Sequence, residues 1–443
     1  MKRINGYKEA CKLLDRRCAG SEYILSPRLK QSLQAMFGVE TAEEAVGIII
    51  DEVRSGGDKA LLELGKKIDR VELEQLQVLD CEIREAVSRV RPDVYKALEK
   101  AAARIKEFHD AQREAIANRI EINGCYQITI PLGRVGVYAP GGTASYPSSV
   151  LMTAIPAKCA GVTEVILATP PGKDGKIPDI TLAAACIAGV DRVFAIGGAQ
   201  AIAALAYGTE TVPAVDKICG PGNVFVMLAK KQVFGTVDID GLQGPSEVLI
   251  IADENSNPGF IADEILAQAE HDPLAQSILV TTSGKLADRV EIALEEKMAQ
   301  SARAEITAHS ISSAGLIVVV ESVEQAVSLA NMYAPEHLVV DSEKPGLEVE
   351  KFTTAGCIFT GSQPTVPMGD YVCGPSHALP TGGTARFSSP LNVGDFLRCC
   401  NVINVDQAVL RELGPSAIII ARSEGLTAHA TAIENRLENI GGS

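Results

Sequence analysis

Tryptophan is absent from the 443-residue chain, and aromatic residues together make up only 4% of it. The buried cores must therefore be built from alanine, valine, isoleucine and leucine, as in layered α/β proteins. Long apolar runs are absent as well, since none approaches the roughly 20 residues that a transmembrane helix needs. The isoleucines at 418–420 predict a buried strand at most. A membrane-spanning protein is therefore not expected.

Paired cysteines and a signal peptide are two further absences. The eleven cysteines are scattered with none at CxxC spacing, and residues 1–15 mix acidic and basic side chains without an apolar segment. These features predict reduced thiols and a cytoplasmic location. The net charge of −15 disfavours nucleic acid or an anionic membrane as a partner, because both carry negative charge. A small molecule is the more natural partner.

The chain divides into two kinds of sequence. Residues 1 to about 117 carry apolar residues at helical spacing, and 92–117 predict a long charged helix with His109 as a solvated surface residue. From about residue 128, short β-branched runs alternate with alanine-rich helices, which predicts parallel sheets covered by helices. A second such series starts at residue 248, and a helical tail with one apolar strand at 417–421 ends the chain. The predicted fold class is therefore α/β.

Glycine turns follow the predicted strands of the first α/β series. They are Gly141-Gly142, Gly197-Gly198 and Gly220-Pro221-Gly222. At the carboxyl end of a parallel sheet, such turns let a helix N-terminus face a phosphate. The GxGxxG fingerprint is absent, however, and turn glycines can serve the backbone conformation alone. The residues therefore predict a nucleotide or anion without specifying which.

A candidate metal site lies at the end of a helix predicted over residues 263–269. Gln268 and His271 are three residues apart, so a helix places them on one face and turns Glu270 away. A carboxamide oxygen and an imidazole can supply half of a tetrahedral metal shell. Asp370, in a glycine-rich loop, could extend this to an N/O set without thiolates, unlike most closed structural zinc sites. The alternatives are a solvated helix end and an ordinary Gly-Asp turn.

A carboxylate and an imidazole are adjacent at Glu336-His337, where a predicted helix gives way to a strand. The imidazole suits general-base catalysis near neutral pH, and the carboxylate could activate a water molecule. A surface acid beside a helix-capping histidine is the alternative. Among the other histidines, His377 shares the glycine-rich loop with Asp370, while His309 lacks notable neighbours and is predicted to be exposed.

Several motifs in a fixed order resemble those of the histidinol dehydrogenase family, over essentially the whole chain. The matching segments are residues 136–142, 197–209, 217–223, 244–249, 268–272, 335–337, 374–390 and 424–429. The resemblance implies a zinc-dependent enzyme that oxidises L-histidinol to L-histidine through L-histidinal with two NAD. This reaction is the final step of histidine biosynthesis.

The resemblance also implies roles for individual residues. One Zn²⁺ per subunit would be bound by Gln268, His271, Asp370 and His429. The acid–base pair would be Glu336 and His337. The substrate would contact these four metal ligands and also Ser246, His337, His377 and Glu424. NAD would contact Tyr138, Gln200 and Asn223.

The architecture implied by the resemblance is a homodimer of chains with two incomplete Rossmann-like parallel-sheet domains and small helical terminal segments. Residues 1–24 would be the N-terminal helical segment, 25–134 with 240–388 the first α/β domain carrying most zinc and catalytic residues, and 135–239 the NAD-binding domain. Residues 389–443 would form a C-terminal segment exchanged between subunits, contributing to the partner's site.

Two departures from the family pattern leave the substrate open. Residues 240–243 read Asp-Gly-Leu-Gln where a Met-Pro-Ala-like run is expected, and Ser376 stands where asparagine is usual. One alternative is therefore a related zinc- and NAD-dependent dehydrogenase of another polyol or amino alcohol. An alternative of another class is a two-lobed ligand-binding protein with a structural zinc. The missing signal peptide and missing thiolate set count against the latter.

Overall fold

The computed structural model describes residues 1–16, 26–141, 145–300, 303–342, 344 and 346–441. Residues 17–24 of the predicted N-terminal segment and Gly142 of the first glycine turn lie outside this described part. The chain forms two compact units, Met1–Arg113 with Leu132–Phe396 and Glu114–Pro131 with Leu397–Ser443. These are called the first and second unit below.

The strands are β1 (Lys2–Asn5), β2 (Gln77–Val78), β3 (Arg119–Ile122), β4 (Cys125–Pro131), β5 (Arg134–Tyr138), β6 (Glu164–Thr169), β7 (Arg192–Ala195), β8 (Lys217–Cys219), β9 (Asp238–Ile239), β10 (Glu247–Ala252), β11 (Gln276–Thr281), β12 (Leu316–Val319), β13 (His337–Asp341), β14 (Cys357–Phe359) and β15 (Leu397–Ile403).

The helices are α1 (Tyr7–Leu14), α2 (Pro27–Phe37), α3 (Ala42–Leu64), α4 (Asp80–Arg89), α5 (Pro92–Ala115), α6 (Pro147–Ala160), α7 (Asp179–Ala188), α8 (Gly198–Tyr207), α9 (Val224–Val233), α10 (Pro258–Ala269), α11 (Gly284–Met298), α12 (Ala304–Ala314), α13 (Val323–Tyr333), α14 (Val366–Tyr371), α15 (Gln407–Ser423) and α16 (Thr427–Gly441). Among the described residues, no helix combines the length and the apolar character needed to cross a bilayer.

The sheet that positions the candidate catalytic residues is parallel throughout, in the order β1-β12-β11-β10-β13-β14. Every residue of its central strand β10 is buried, which explains why that strand is a continuous apolar run in the sequence. The chain order reverses between β10 and β13, because β11 and β12 extend one side and β14 the other. Strand β1 was not predicted, since the start of the chain was expected to be helical.

The second sheet has the order β2-β7-β6-β5-β8-β9 and is parallel except for β2. Its chain order reverses between β5 and β8. The predicted division placed residues 25–134 with the other α/β domain, but β2 pairs with β7 and α3 packs in one core with α8 and α9. The spacing of apolar residues predicts the buried face of α3, but it does not predict which sheet that face covers.

The second unit contains the antiparallel sheet β15-β4-β3 and the helices α15 and α16. The prediction of a buried strand at 417–421 is wrong, because these residues lie within α15. Ile419 and Ile420 are 69% and 57% exposed. An apolar run of this length does not by itself distinguish a buried strand from a helix with exposed apolar side chains.

His109 is buried rather than solvated, contrary to the prediction. Its side chain is completely inaccessible, and Nδ1 donates a hydrogen bond to the Ile105 carbonyl at 2.7 Å. Phe108 contacts the ring edge-on. Burial lowers the pKa of His109, although hydrogen bonding to Ile105 and the nearby Asp110 carboxylate favour the charged form.

Replacing His109 with leucine is expected to reduce the dependence of the free energy of unfolding on pH below neutrality. The unfolded chain binds a proton on this ring below pH ~6.5 while the folded chain resists it, so stability falls as the pH drops. One such group contributes a slope of at most about 1.4 kcal/mol per pH unit. Urea titrations between pH ~5 and ~7 measure the slope. The exposed His309→Leu variant is the control, and equal slopes in both variants would contradict the assignment.

Candidate active site

The candidate catalytic residues meet at the amino-terminal edge of the first sheet. Glu247 begins β10 and His337 begins the neighbouring strand β13, whose first residue pairs with Val248. Helix α10 follows β10 and runs back across the sheet, so its last turn returns to the same edge. Gln268 lies in that turn. Gln268 and the acid–base pair therefore share one edge because of the connection from β10 to α10.

Glu336 and His337 form a buried pair, with 6% and 5% of their surfaces exposed. The imidazole Nδ1 lies 3.4 Å from a carboxylate oxygen of Glu336. It donates to the carbonyl of Glu247 at 3.0 Å, because a carbonyl can only accept. Nε2 is buried without a hydrogen-bond partner and lies 3.7 Å from Asp370 Oδ1. The surface alternative for this pair is wrong.

The pair's proton affinities are strongly perturbed. Burial raises the pKa of Glu336 to about 7, with Glu247 and Asp370 adding to the effect and His337 opposing it. Burial alone would lower the pKa of His337, but the Glu336 and Asp370 carboxylates raise it to about 9. Buried groups with shifted pKa values are typical of catalytic sites.

Asp370 was predicted to lie in a loop, but it lies in the short helix α14, which has a proline in its first turn. Burial would raise the pKa of its carboxyl group, but His337, His377 and His271 favour the carboxylate and lower it. The ring of His377 donates from Nδ1 to the backbone carbonyl of Asp370 at 2.8 Å. The structure thus brings these three histidines around one carboxylate.

Gln268 is the most informative of the predicted metal ligands. Its side chain is 3% exposed, and the amide nitrogen has no hydrogen-bond partner. His271 lies just beyond the end of α10, is exposed, and interacts electrostatically with Asp370. An amide nitrogen buried without an acceptor costs free energy unless another group binds it, and the carboxamide oxygen beside it is the atom that could bind a metal ion. Together with an imidazole and a carboxylate, it fits the N/O chemistry of a zinc site.

The predicted ligands are divided between the two units. Gln268, His271 and Asp370 belong to the first, whereas His429 lies in the first turn of α16 in the second and is exposed. Glu424, at the carboxyl end of α15, is also exposed. Within the described residues, no three His, Cys, Asp or Glu side chains are grouped to hold a metal ion.

Ser246 immediately precedes β10, and its carbonyl accepts the Gln276 N–H at 3.0 Å. The segment before it is held by Thr381, whose hydroxyl accepts the Gly244 N–H at 2.6 Å. Ser376 is buried, donates to the Met152 carbonyl at 3.0 Å and accepts the Ala378 N–H at 3.2 Å. Its hydroxyl therefore stabilises the loop that carries His377.

The three predicted cofactor residues lie at the carboxyl edge of the second sheet, where β5 and β8 mark the reversal of strand order. Tyr138 ends β5, and its hydroxyl accepts the Gly198 N–H at 3.1 Å. Burial raises its pKa to about 12. Asn223 caps α9 by accepting the N–H groups of two residues in its first turn. In open α/β sheets, ligands bind at this reversal point.

Gln200 lies in the first turn of α8 and is 1% exposed. Its amide donates to Asp69 at 3.1 Å. Burial raises the pKa of Asp69, and the bond from Gln200 acts in the opposite direction. Gly220 has φ +120°, and a side chain there would come within 2.0 Å of the Tyr138 carbonyl. Glycine at this turn therefore allows the backbone at residue 220 to lie close to the backbone of Tyr138.

Sequence reasoning missed three residues of the site. Glu247 follows Ser246 directly and could have been found from that motif. Asp69 and Arg16 belong to helical stretches without chemical motifs, and Arg16 forms an ion pair with Glu247 at 2.8 Å. No sequence pattern signals a contact between residues so far apart.

Comparison with known proteins identifies the family. A model of the histidinol dehydrogenase family matches residues 34–437. Histidinol dehydrogenase from Dehalococcoides mccartyi is 53% identical over 441 residues, covering 99% of this chain and 100% of that protein. The enzyme from Clostridium acetobutylicum is 47% identical over 412 residues, covering 92% and 96%. The crystal structure of histidinol dehydrogenase from Elizabethkingia anophelis has a TM-score of 0.89 at 34% identity, covering 100% and 99%.

Fold, site and relatives together define an α/β oxidoreductase. More particularly, the chain belongs to the histidinol dehydrogenase family, which confirms the resemblance carried by its motifs. The alternative of a ligand-binding protein with a structural zinc is thereby set aside.

Proposed function

We propose that the chain oxidises L-histidinol to L-histidine through L-histidinal, reducing two NAD. The observation that carries this proposal is the buried Glu336–His337 pair beside Asp370, with the unpaired amide nitrogen of Gln268 at the same sheet edge. The first oxidation converts the alcohol and NAD⁺ to aldehyde, NADH and a proton. Water then adds to the aldehyde, and the resulting diol gives the carboxylate, a second NADH and two protons.

His337 takes the proton from the substrate hydroxyl at Nε2. Its Nδ1–H is held by the Glu247 carbonyl, so Nε2 is the nitrogen directed toward the reacting atoms. Glu336 deprotonates the water that hydrates the aldehyde. A pKa of about 7 suits a group that must accept and release a proton near neutral pH.

The residues that would hold zinc are Gln268, His271, Asp370 and His429. Bound Zn²⁺ would hold the substrate's imidazole and amine and would offset the Asp370 charge that favours a protonated His337. Ser246, His377 and Glu424 would contact the substrate as well. Tyr138, Gln200 and Asn223 would contact NAD at the edge of the second sheet.

A homodimer with exchanged C-terminal segments accounts for the exposed apolar side chains of the second unit. Ile122, Ile403 and Ile419 are 67%, 73% and 69% exposed. Large apolar side chains exposed together commonly mark an interface. We place the enzyme in the cytoplasm, since no cysteine in the described part of the chain is in a disulfide.

A mixed dimer tests the exchange. One chain carries His337→Asn and the other His429→Ala. If the C-terminal segment serves the partner's site, one site receives both substitutions and the other receives neither, so L-histidinol oxidation returns. If each chain completes its own site, every site is defective and activity stays near zero. The two homodimeric variants, each inactive by itself, are the controls.

Substrate choice separates the proposal from its alternative, a dehydrogenase of another polyol or amino alcohol. NAD reduction is expected with L-histidinol and not with amino alcohols that lack an imidazole, because zinc would bind that ring. Chelation should abolish the activity and added Zn²⁺ restore it. Comparable rates with an amino alcohol that lacks the ring would favour the alternative.

A further inference from the structure

Both catalytic side chains are held by the main chain of one residue, Glu247. Its N–H donates to Glu336 Oε2 at 2.8 Å, and its carbonyl accepts Nδ1–H of His337 at 3.0 Å. The first contact orients the carboxylate, and the second fixes the orientation of the imidazole ring. The position of this residue therefore determines where both reacting atoms point.

The side chain of Glu247 is fully engaged on the other side. One carboxylate oxygen accepts from Arg16 Nη1 at 2.8 Å, and the other accepts the Gly382 N–H at 3.1 Å. The side chain is only 3% exposed. A buried carboxylate requires such partners, since an unpaired charge is costly in this environment. The ion pair thus anchors the start of β10.

Arg16 is itself braced by neighbouring elements. Its guanidinium lies 3.6 Å from the ring centroid of Tyr333, and Nη2 donates to Gln276 Oε1 at 3.4 Å. Tyr333 donates from its hydroxyl to the same oxygen at 2.9 Å. The N–H of Gln276 binds the Ser246 carbonyl at 3.0 Å. The guanidinium therefore ties together α13 and the starts of β10 and β11.

We propose that Arg16 and Glu247 are positioning residues, which set the orientations of the Glu336 carboxylate and the His337 ring through the Glu247 peptide groups. The kinetic consequence rests on the proposed function, whereas the ring orientation does not. Small displacements of catalytic groups lower turnover far more than they weaken substrate binding. A purely structural ion pair would change stability without changing turnover or the hydrogen bond of the His337 ring.

The test replaces Arg16 with methionine, which keeps an apolar chain over Tyr333 and removes the charge. Turnover is expected to fall by about ten- to a hundredfold, with the KM for L-histidinol nearly unchanged. Ring-nitrogen NMR of ¹⁵N-histidine-labelled protein should show the His337 signal shifted. Arg16→Lys keeps the charge and should recover part of the turnover. Arg3→Met is the matched control. Arg3 lies in the same N-terminal segment as Arg16, and its ion pair is with Asp288, away from Glu247.

Two results would overturn the proposal. The first is a folded Arg16→Met variant whose turnover and His337 NMR signal equal those of the unmodified chain. The second is a loss of turnover in the Arg3→Met control equal to that in Arg16→Met. If Arg16→Met does not fold, the Arg16→Lys variant decides by the same readouts. If the unmodified chain does not oxidise L-histidinol, the proposed function fails, and the NMR signal alone decides this inference. A shifted signal then still supports it.

Discussion

Replacing His337 with asparagine is expected to lower turnover of L-histidinol by about 10²- to 10⁴-fold, the usual contribution of a general base. Asparagine retains an N–H that can donate to the Glu247 carbonyl, where His337 donates at 3.0 Å. It has no group that can take a proton at the position of Nε2. Geometry is thus largely kept while proton transfer is lost.

Zinc content and NAD affinity are expected to persist in this variant, because His337 is neither a proposed metal ligand nor a cofactor contact. Steady-state kinetics, metal analysis and NAD titration on one preparation measure all three. His309→Asn, which changes an exposed histidine, is the control and should be fully active. Turnover within tenfold of the unmodified chain would show that another group is the base.

Replacing Lys230 with methionine is expected to destabilise the fold by about 3–5 kcal/mol, the usual cost of leaving one charge of a buried pair alone. The side chains of Lys230 and Asp240 are each 1% exposed and form an ion pair. Lys230 Nζ also donates to Gln243 at 2.7 Å and to the Gly220 carbonyl at 3.1 Å. Asp240 accepts the Gly220 N–H at 2.7 Å.

The adjacent Lys231 offers a matched control, because it is exposed on the same helix. Lys231→Met should change the free energy of unfolding by less than about 0.5 kcal/mol. Adding Asp240→Asn to Lys230→Met should recover part of the loss, since no buried charge then remains unpaired. Denaturant titration measures each value. A loss in Lys230→Met no larger than in Lys231→Met would contradict the buried-pair account.

This network also explains one departure from the family pattern. Gln243 ends the segment 240–243, where a Met-Pro-Ala-like run was expected, and its carboxamide binds Lys230. It therefore links the Gly220 turn at the proposed cofactor edge to the segment that leads into Ser246. Ser376, the other departure, has both hydrogen bonds satisfied within the fold.

Strand β10 and helix α15 both contain an apolar run, and the run alone does not predict which of the two structures forms. The run that forms β10 was correctly predicted as a buried strand, because a parallel strand covered on both faces has no polar alternation. The run at 417–421 has the same appearance and is helical, with exposed isoleucines. The apolar run alone therefore does not show whether its side chains are buried within the fold.

His109 shows a signal that was available and overlooked. Ile105 and His109 are four residues apart and both buried on α5, so the apolar face of this charged helix includes the histidine. Glu336 and His337 were found because they are adjacent in the sequence. Arg16 could not be found, because only the fold brings it to Glu247.

The proposed four-electron oxidation is tested most directly by counting the NADH formed from a limiting amount of L-histidinol with excess NAD, on protein of measured zinc content. Two NADH per L-histidinol, with L-histidine as the product, is the predicted result. One NADH with release of the aldehyde, or no turnover by zinc-loaded protein, would contradict it.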